Sequence, residues 1–520
     1  MRVLVFHGYL LHGTGSNVYN ARLCAALARQ GHTVDLLSQE RHPETLGFVG
    51  AYGTWEAGEP RVSPGAAGAR VTAWRPDIGA LLPVYVADRY EGLEARPYPD
   101  CTDAEIEAYI AANVTAVRDV VARARPDVAL ANHLIMGPLI LARALGGEVP
   151  YAVKIHGSAL EYAVKPHPKR FVPFAAEGLS QARTVLVGSR HTAESLWTVM
   201  ADDDLPARTR LGPPGVAVEE FRPRPRRRAA AEVRELAARL QAAEADARGP
   251  SDSAFARDEG VAGRSLERLD LERDRHVLFV GKLIVSKGAD LLAAAWPLVL
   301  DRVPEARLVV VGFGGWREAF ERLVAALAAG DLGGAREIAR AGRAAEGGPP
   351  APLGHLLAFL DSLEGDEAVA YSASAAWLGD RLVLTGRLDH DELAPLLAAA
   401  EAQVVPSTFP EAYGMVAAEA AACGALPISA GHSGLAEVAA VLAPAVPAAA
   451  RGWLTFPVDD GAVRAIADRV VAWLQAPEDL RAATRDALVA VARERFSWEG
   501  VAEGVIAAAS GRAQDLPRPV

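Results

Sequence analysis

What most limits the fold of this chain is an alternation that runs through it twice: a short β-branched run, a glycine-bearing loop, then a stretch with apolar residues at helical spacing. The first series opens with residues 2–6 (RVLVF), continues through a helical stretch at 18–30 and, after Gly31, reaches a second run at 34–37. Strand-like runs at 128–131, 151–155 and 184–187 extend it. Parallel strands need a long crossover, usually a helix, so this series predicts a parallel, doubly wound sheet. A second series begins at 276–280 (HVLFV) and passes through 307–311 (RLVVV), 382–384, 402–405 and 426–428. It predicts a second α/β domain of the same kind.

At 520 residues the chain exceeds what one hydrophobic core organises, and the join is expected in 205–221, LPARTRLGPPGVAVEEF, where Pro and Gly crowd. Hydrophobic residues make up 51% and charged residues 23%, which excludes a disordered chain. The net charge of -11 argues against non-specific nucleic-acid binding, so any phosphate chemistry must rely on local cations. Cys24, Cys101 and Cys423 form no CxxC pair, so neither a disulfide framework nor a zinc site is indicated, and a reducing cytoplasm fits. Residues 1–9 read as a strand rather than a signal peptide. The apolar run 438–450 contains Pro444 and Pro447 and falls short of the ~20 residues that cross a bilayer.

Two stretches interrupt the alternation, at about 222–275, rich in Arg, Ala and Glu, and about 318–380, rich in Ala and Gly. Both are expected to be surface elaborations. The basic run Arg222, Arg224, Arg226, Arg227 and Arg228 reads as a solvated linker or, at most, as a peripheral contact with anionic lipid.

Three motifs carry chemistry. The loop HGTGSN (12–17) lies between a strand and a helix, where glycines let backbone N–H groups approach a phosphate; a plain tight turn would also account for it. GKLIVSKG (281–288) follows a strand and can offer the ammonium groups of Lys282 and Lys287 to a pyrophosphate, or be a solvated loop. PEAYGMVAAEA (410–420) places Glu411 in a loop and Glu419 a little over two helical turns later, two contacts along one elongated ligand.

With the preceding Pro406-Ser407, the Gly414 break and the following ACG (422–424), this text resembles the family-4 retaining glycosyltransferases, whose signature is a Glu, seven residues and a second Glu. Other landmarks follow in the family's order: Gly15, GHTV (31–34), His156-Gly157, Gly188-Ser189, PGV (214–216), VGFG (311–314), Gly386-Arg387-Leu388 and SGLAE (433–437). The resemblance implies a GT-B fold, two Rossmann-like doubly wound domains facing a cleft. Residues 1–205 would form the acceptor domain and 206–496 the nucleotide-sugar donor domain, with a C-terminal helix in 497–520 packing back on the first.

The resemblance also implies the site. Lys282 and Lys287 would bind the donor diphosphate, Glu411 the sugar hydroxyls and Glu419 the ribose. Backbone groups around Tyr413, Gly414 and Met415 would touch phosphate and sugar, and Gly386 would line the donor site. Gly15 would let its loop close over the diphosphate, and His156 would orient the transferred sugar. The implied activity is hexosyl transfer from a nucleotide diphosphate sugar to an unnamed acceptor by front-face displacement, with no metal and no cofactor. Lys282 stands where the family usually has Arg, and Thr14 and Ala217 replace a usual Gly and Asp. Two rival readings are a GT-B-shaped nucleotide-sugar epimerase or hydrolase and a non-catalytic carbohydrate-binding protein.

Overall fold

The computed structural model describes residues 1–86, 90–246 and 259–519, and the chain divides into two compact units. The first holds Met1–Gly215 and the C-terminal residues from Phe496 onward; the second holds the described chain from Val216 to Arg495.

The first unit contains β1 (Arg2–Phe6), β2 (Thr33–Leu37), β3 (Val49–Glu56), β4 (Glu59–Pro64), β5 (Val71–Trp74), β6 (Leu81–Val84), β7 (Glu94–Pro97), β8 (Val128–Asn132), β9 (Tyr151–Lys154), β10 (Thr184–Val187) and β11 (Thr209–Leu211). Nine of these form one sheet in the order β11-β10-β9-β8-β1-β2-β5-β3-β4, while β6 and β7 pair separately. Every pairing in the large sheet is parallel except the β3–β4 hairpin. The order reverses between β1 and β8, the place where α/β sheets open a crevice at their carboxyl ends.

Helices cover both faces of the central strands, so β8 (VALAN), β9 (YAVK) and β10 (TVLV) are buried along their whole length and read as unbroken apolar runs. The polar exceptions are partnered. Asp35 of β2 accepts from Trp74 Nε1 at 2.8 Å, and burial raises its carboxyl above the usual range. Lys154, closing β9, donates to the Gly212 carbonyl at 2.5 Å, and burial brings its ammonium down to about 7. The helix Asp103–Ala124 starts at a capping box in which Thr102 and Glu105 each accept from the other's backbone N–H.

The C-terminal helix Trp498–Ala509 packs on the helix Gly15–Arg29 and on β8 and β9. Gly215 is held to glycine by that contact, since a Cβ there would stand 2.7 Å from the Trp498 ring. β11 adds Thr209–Leu211 to the first sheet, which carries the first unit past residue 205.

The second unit contains β12 (Arg275–Val280), β13 (Ala306–Val311), β14 (Leu382–Gly386), β15 (Ala402–Val405), β16 (Leu426–Ala430) and β17 (Thr455–Phe456). Their order is β14-β13-β12-β15-β16-β17, all parallel, reversing between β12 and β15. The chain is thus α/β throughout, with two Rossmann-like sheets.

Both interruptions differ from a surface role. The helices Arg317–Ala328 and Gly354–Ser362 bury Phe320, Leu323, Leu327, Leu356 and Phe359, and Tyr371 donates to the Ala294 carbonyl at 2.9 Å. Frequent Ala and Gly hid these apolar positions, whose i, i+3, i+4 spacing makes them core. The helix Arg226–Asp246 buries Val233, Leu236 and Leu240 and packs against the helix Leu393–Ala399. The rest of the first interruption, 247–258, lies outside the described residues.

Candidate functional site

Each unit gathers polar side chains at its own point of strand-order reversal. In the first unit, His7 directly follows β1, Asn132 ends β8 with His133 just beyond it, and β9 leads to His156. Asn132 Nδ2 donates to the Phe6 carbonyl at 3.1 Å, which turns its Oδ1 toward His156 Nε2 at 2.7 Å. His156 is therefore held with its proton on Nε2, leaving the Nδ1 lone pair as an acceptor. Tyr19 packs edge-on against this ring at 4.9 Å.

His7 is fixed the same way. Asn20 Nδ2 donates to its Nδ1 at 3.0 Å, so its Nε2–H donates to Asn17 Oδ1 at 2.9 Å. Asn17 in turn donates to the His12 carbonyl, tying the 12–17 loop to β1. Burial drives the His7 pKa down to about 4 and those of His133 and His156 well below the usual imidazole value; the cost of charging one imidazole beside another, and Lys154 at His156, reinforce the shift at the last two. The cluster is neutral at physiological pH.

Gly15 begins the helix Gly15–Arg29, and a Cβ there would meet nothing within 4 Å. The positive φ of that loop belongs to Gly13, at 87°.

In the second unit the loops after β12 and β15 meet. The Lys287 ammonium pairs with Glu411 Oε1, and Ser407 Oγ donates to the same oxygen at 2.6 Å. Glu411 N–H donates to Ser433 Oγ at 2.9 Å, and its carbonyl accepts from Gly434 N at 3.0 Å. Burial opposes ionisation of Glu411, but the ammonium of Lys287, with Ser407 and His432, outweighs it and holds the carboxyl below the usual range. Two glycines permit the arrangement. Gly288 has φ 66°, and a Cβ there would lie 1.9 Å from the Pro406 carbonyl oxygen; a Cβ on Gly434 would lie 2.5 Å from Tyr413 Cα.

Gly414 precedes the helix Met415–Cys423, whose first N–H groups have no partner inside the helix. Glu419, one turn in and 2% exposed, bonds His390 at 2.7 Å, and His390 stacks on Phe221 at 4.8 Å. Tyr413 is packed so that burial raises its phenol pKa. Lys282 sits over the Phe313 ring at 5.8 Å, and Gly386 ends β14 with φ 75°. Of the residues expected from sequence, the second unit holds all but Gly15 and His156. Lys287 and Glu411 form a direct pair, where separate duties were expected. His7, His133, His390, Ser407 and Ser433 went unassigned; His7, His133 and Ser407 lie just beyond strand ends, while His390 and Ser433 open the helical turns that come after β14 and β16. Among the described residues no group of three or more His, Cys, Asp or Glu could hold a metal ion, and no helix is long and apolar enough to cross a membrane.

Residues 14–204 match the family Glycosyl transferase 4-like domain, and residues 356–488 match Glycosyl transferases group 1. A D-inositol 3-phosphate glycosyltransferase of Segniliparus rotundus is 27% identical over 259 residues, which are 50% of this chain and 43% of that protein. The chain thus spans less than half the length of this curated relative. Among solved structures, sucrose-phosphate synthase of Thermosynechococcus elongatus aligns over 97% of this chain and 96% of its own at 18% identity, with a TM-score of 0.53. Anabaena HepE in complex with UDP and glucose aligns over 98% and 99% at 13% identity and TM-score 0.55. The catalytic domain of starch synthase IV from Arabidopsis thaliana, bound to ADP and acarbose, aligns over 99% of both chains at 12% identity and TM-score 0.55. At these identities the likeness concerns the fold.

Proposed function

We propose, on the premise that this chain is a glycosyltransferase of the GT-B fold, that it is a retaining enzyme moving a hexosyl group from a nucleotide diphosphate sugar to a hydroxyl-bearing acceptor. The observation that carries the reading is the Lys287–Glu411 pair, locked by Ser407 and Ser433 beside the start of the Met415–Cys423 helix. The Lys287 ammonium carries three donors, so it can bond a diphosphate oxygen while it still holds Glu411 Oε1. Lys287 and Lys282 take phosphate oxygens, and Glu411, held through Oε1, accepts hydrogen bonds from the sugar hydroxyls through Oε2. Glu419 holds the ribose, with His390 fixing its carboxylate.

Transfer is a front-face displacement. The bond from the anomeric carbon to the diphosphate oxygen breaks with its electron pair going to the leaving group, the acceptor oxygen bonds to the same face, and the acceptor proton passes to the departing phosphate. No protein nucleophile is needed. Glu411 acts by position and charge, as does His156 toward the transferred sugar. Free, buried Cys24, Cys101 and Cys423 agree with the cytoplasm as the proposed compartment.

HepE was solved with UDP, so UDP-glucose is the first donor to test, followed by GDP- and ADP-glucose. Full-length protein is melted with each donor, and the product anomer is read from its proton NMR coupling. A melting temperature unmoved by all three at millimolar concentration, or an inverted product, would overturn this reading.

A further inference from the structure

We propose that His133 is a ligand-facing residue of the first unit that hydrogen-bonds an uncharged hydroxyl group of the acceptor, a polyol or sugar, beside His156; this rests on the glycosyl-transfer reading above.

Two independent observations lead there. The first is an unmet hydrogen-bonding capacity. His133 is 2% exposed, yet neither ring nitrogen has a partner among the described residues, although a buried imidazole with two empty nitrogens costs free energy. The nearby His7 and His156 show the contrast, since Asn17, Asn20 and Asn132 partner them.

The second is backbone strain. His133 has φ 68°, one of five non-glycine residues at positive φ among the described residues. Arg125 and Ala201 are helix C-caps and Ala57 lies in the β3–β4 turn, where such angles are routine. Of the remaining two, Ser433 braces Glu411. His133 follows directly on β8, where its N–H still bonds the Lys154 carbonyl at 2.8 Å. The sheet thus continues through a residue whose side chain is turned by a costly conformation, as happens where a ligand determines the geometry.

Ring contacts define the chemistry. His133 stacks on His7 at 5.7 Å and lies 4.7 Å from Tyr85 and 5.0 Å from His156, the last two partly exposed. These neighbours carry no charge at neutral pH: burial keeps the imidazoles deprotonated and raises the Tyr85 phenol well above its usual value. Lys154 is a nearby basic group, but it is buried against the Gly212 carbonyl and the Tyr19 ring, and burial brings its ammonium down to about 7. Among the described residues, none of the rings that contact His133 offers an anion a counter-charge. A hydroxyl donates once and accepts, and a neutral imidazole offers the matching acceptor and donor.

The test uses the full-length protein labelled with 15N at histidine, with ring signals of His133 identified by their loss in His133→Asn. The probes are glucose and inorganic phosphate. Glucose is expected to move the His133 and His156 signals together and saturably, and phosphate to move neither. Unmoved His133 signals under excess glucose, as for a core histidine satisfied by water, or movement by phosphate, would each overturn the proposal. In His133→Leu the glucose dissociation constant read at His156 should rise by roughly tenfold, the scale of one hydrogen bond; an unchanged constant overturns it. His133→Asn, which tolerates positive φ and keeps a donor and an acceptor, should rise less. Failure of UDP to stabilise the protein counts against the donor reading and leaves this result standing.

Discussion

Ser407 and Lys287 meet on one atom: the hydroxyl and the ammonium both donate to Glu411 Oε1, from loops that follow different strands. The carboxylate is therefore oriented before any ligand arrives. In the proposed role Oε2 would accept from a sugar hydroxyl, a division of labour that pre-organised sites use to limit reorganisation.

Glu411→Ala and His156→Ala should each abolish transfer while nucleotide affinity stays near that of the parent, because the proposed roles place both on the transferred sugar rather than on base, ribose or phosphate. Glu419→Ala should instead weaken nucleotide binding by about 1.5–3 kcal/mol, the scale of hydrogen bonds to a charged group. Calorimetric titration of nucleotide into the three variants separates the roles; a loss confined to Glu411→Ala would reverse the assignment of the two carboxylates.

Lys287→Ala should remove most of the thermal stabilisation given by a nucleoside diphosphate. A ligand at 100 times its dissociation constant adds about 2.7 kcal/mol to the native state, so the effect is readable in a melting curve. Because Lys287 also restrains Glu411, transfer should fall further in this variant than affinity does. Equal stabilisation of parent and variant would remove Lys287 from the donor site.

Activity should survive EDTA, since Lys282 and Lys287 both follow β12 and can neutralise the diphosphate. Complete loss on chelation, restored by a divalent ion, would show that the phosphate charge is met in another way.

Stability should fall as pH drops from 6.5 toward 4. The folded-state pKa of His7 and that of His276 are both lowered by burial to about 4, against 6.5 when unfolded. Over this window the unfolded chain binds more protons, so acid favours unfolding, by on the order of 3 kcal/mol for a single fully shifted imidazole. Asp290 works the other way, its carboxyl raised by burial to about 7, but two shifted imidazoles outweigh it. Melting temperatures measured between pH 7 and pH 4 should fall, and His7→Gln should flatten the slope; a flat parent curve would contradict the burial of these rings.

Much of the fold was legible because buried parallel strands leave unbroken apolar runs: those at 128–131, 184–187 and 307–311 lie within β8, β10 and β13. Residues 40–103 were not decoded. Strand β3 is broken by Gly50 and Gly53 and β4 by Pro60 and Pro64, β5 is four residues long, and the three join the sheet out of chain order, so neither period nor sequence adjacency announces them. In the site, Lys287 and Glu411 were singled out by motif, but their direct pairing was not, because 124 positions separate them and only the β12–β15 crossover joins their loops. His133 escaped notice for a similar reason. It follows an asparagine in an apolar stretch, and what distinguishes it is a backbone angle and two empty nitrogens.

The two margins of the nine-stranded sheet differ in how they refuse further strands. At one, β4 carries Pro60 and Pro64, which lack backbone donors, and Arg61, so it makes a poor template for a strand from another molecule. At the other, the N–H of Leu211 in β11 is taken by the Pro517 carbonyl at 2.8 Å, and Arg210 Nε donates to the Ala513 carbonyl. The C-terminal tail thus covers part of this edge, and a chain cut before residue 513 is expected to leave the Leu211 N–H open to a strand from another molecule.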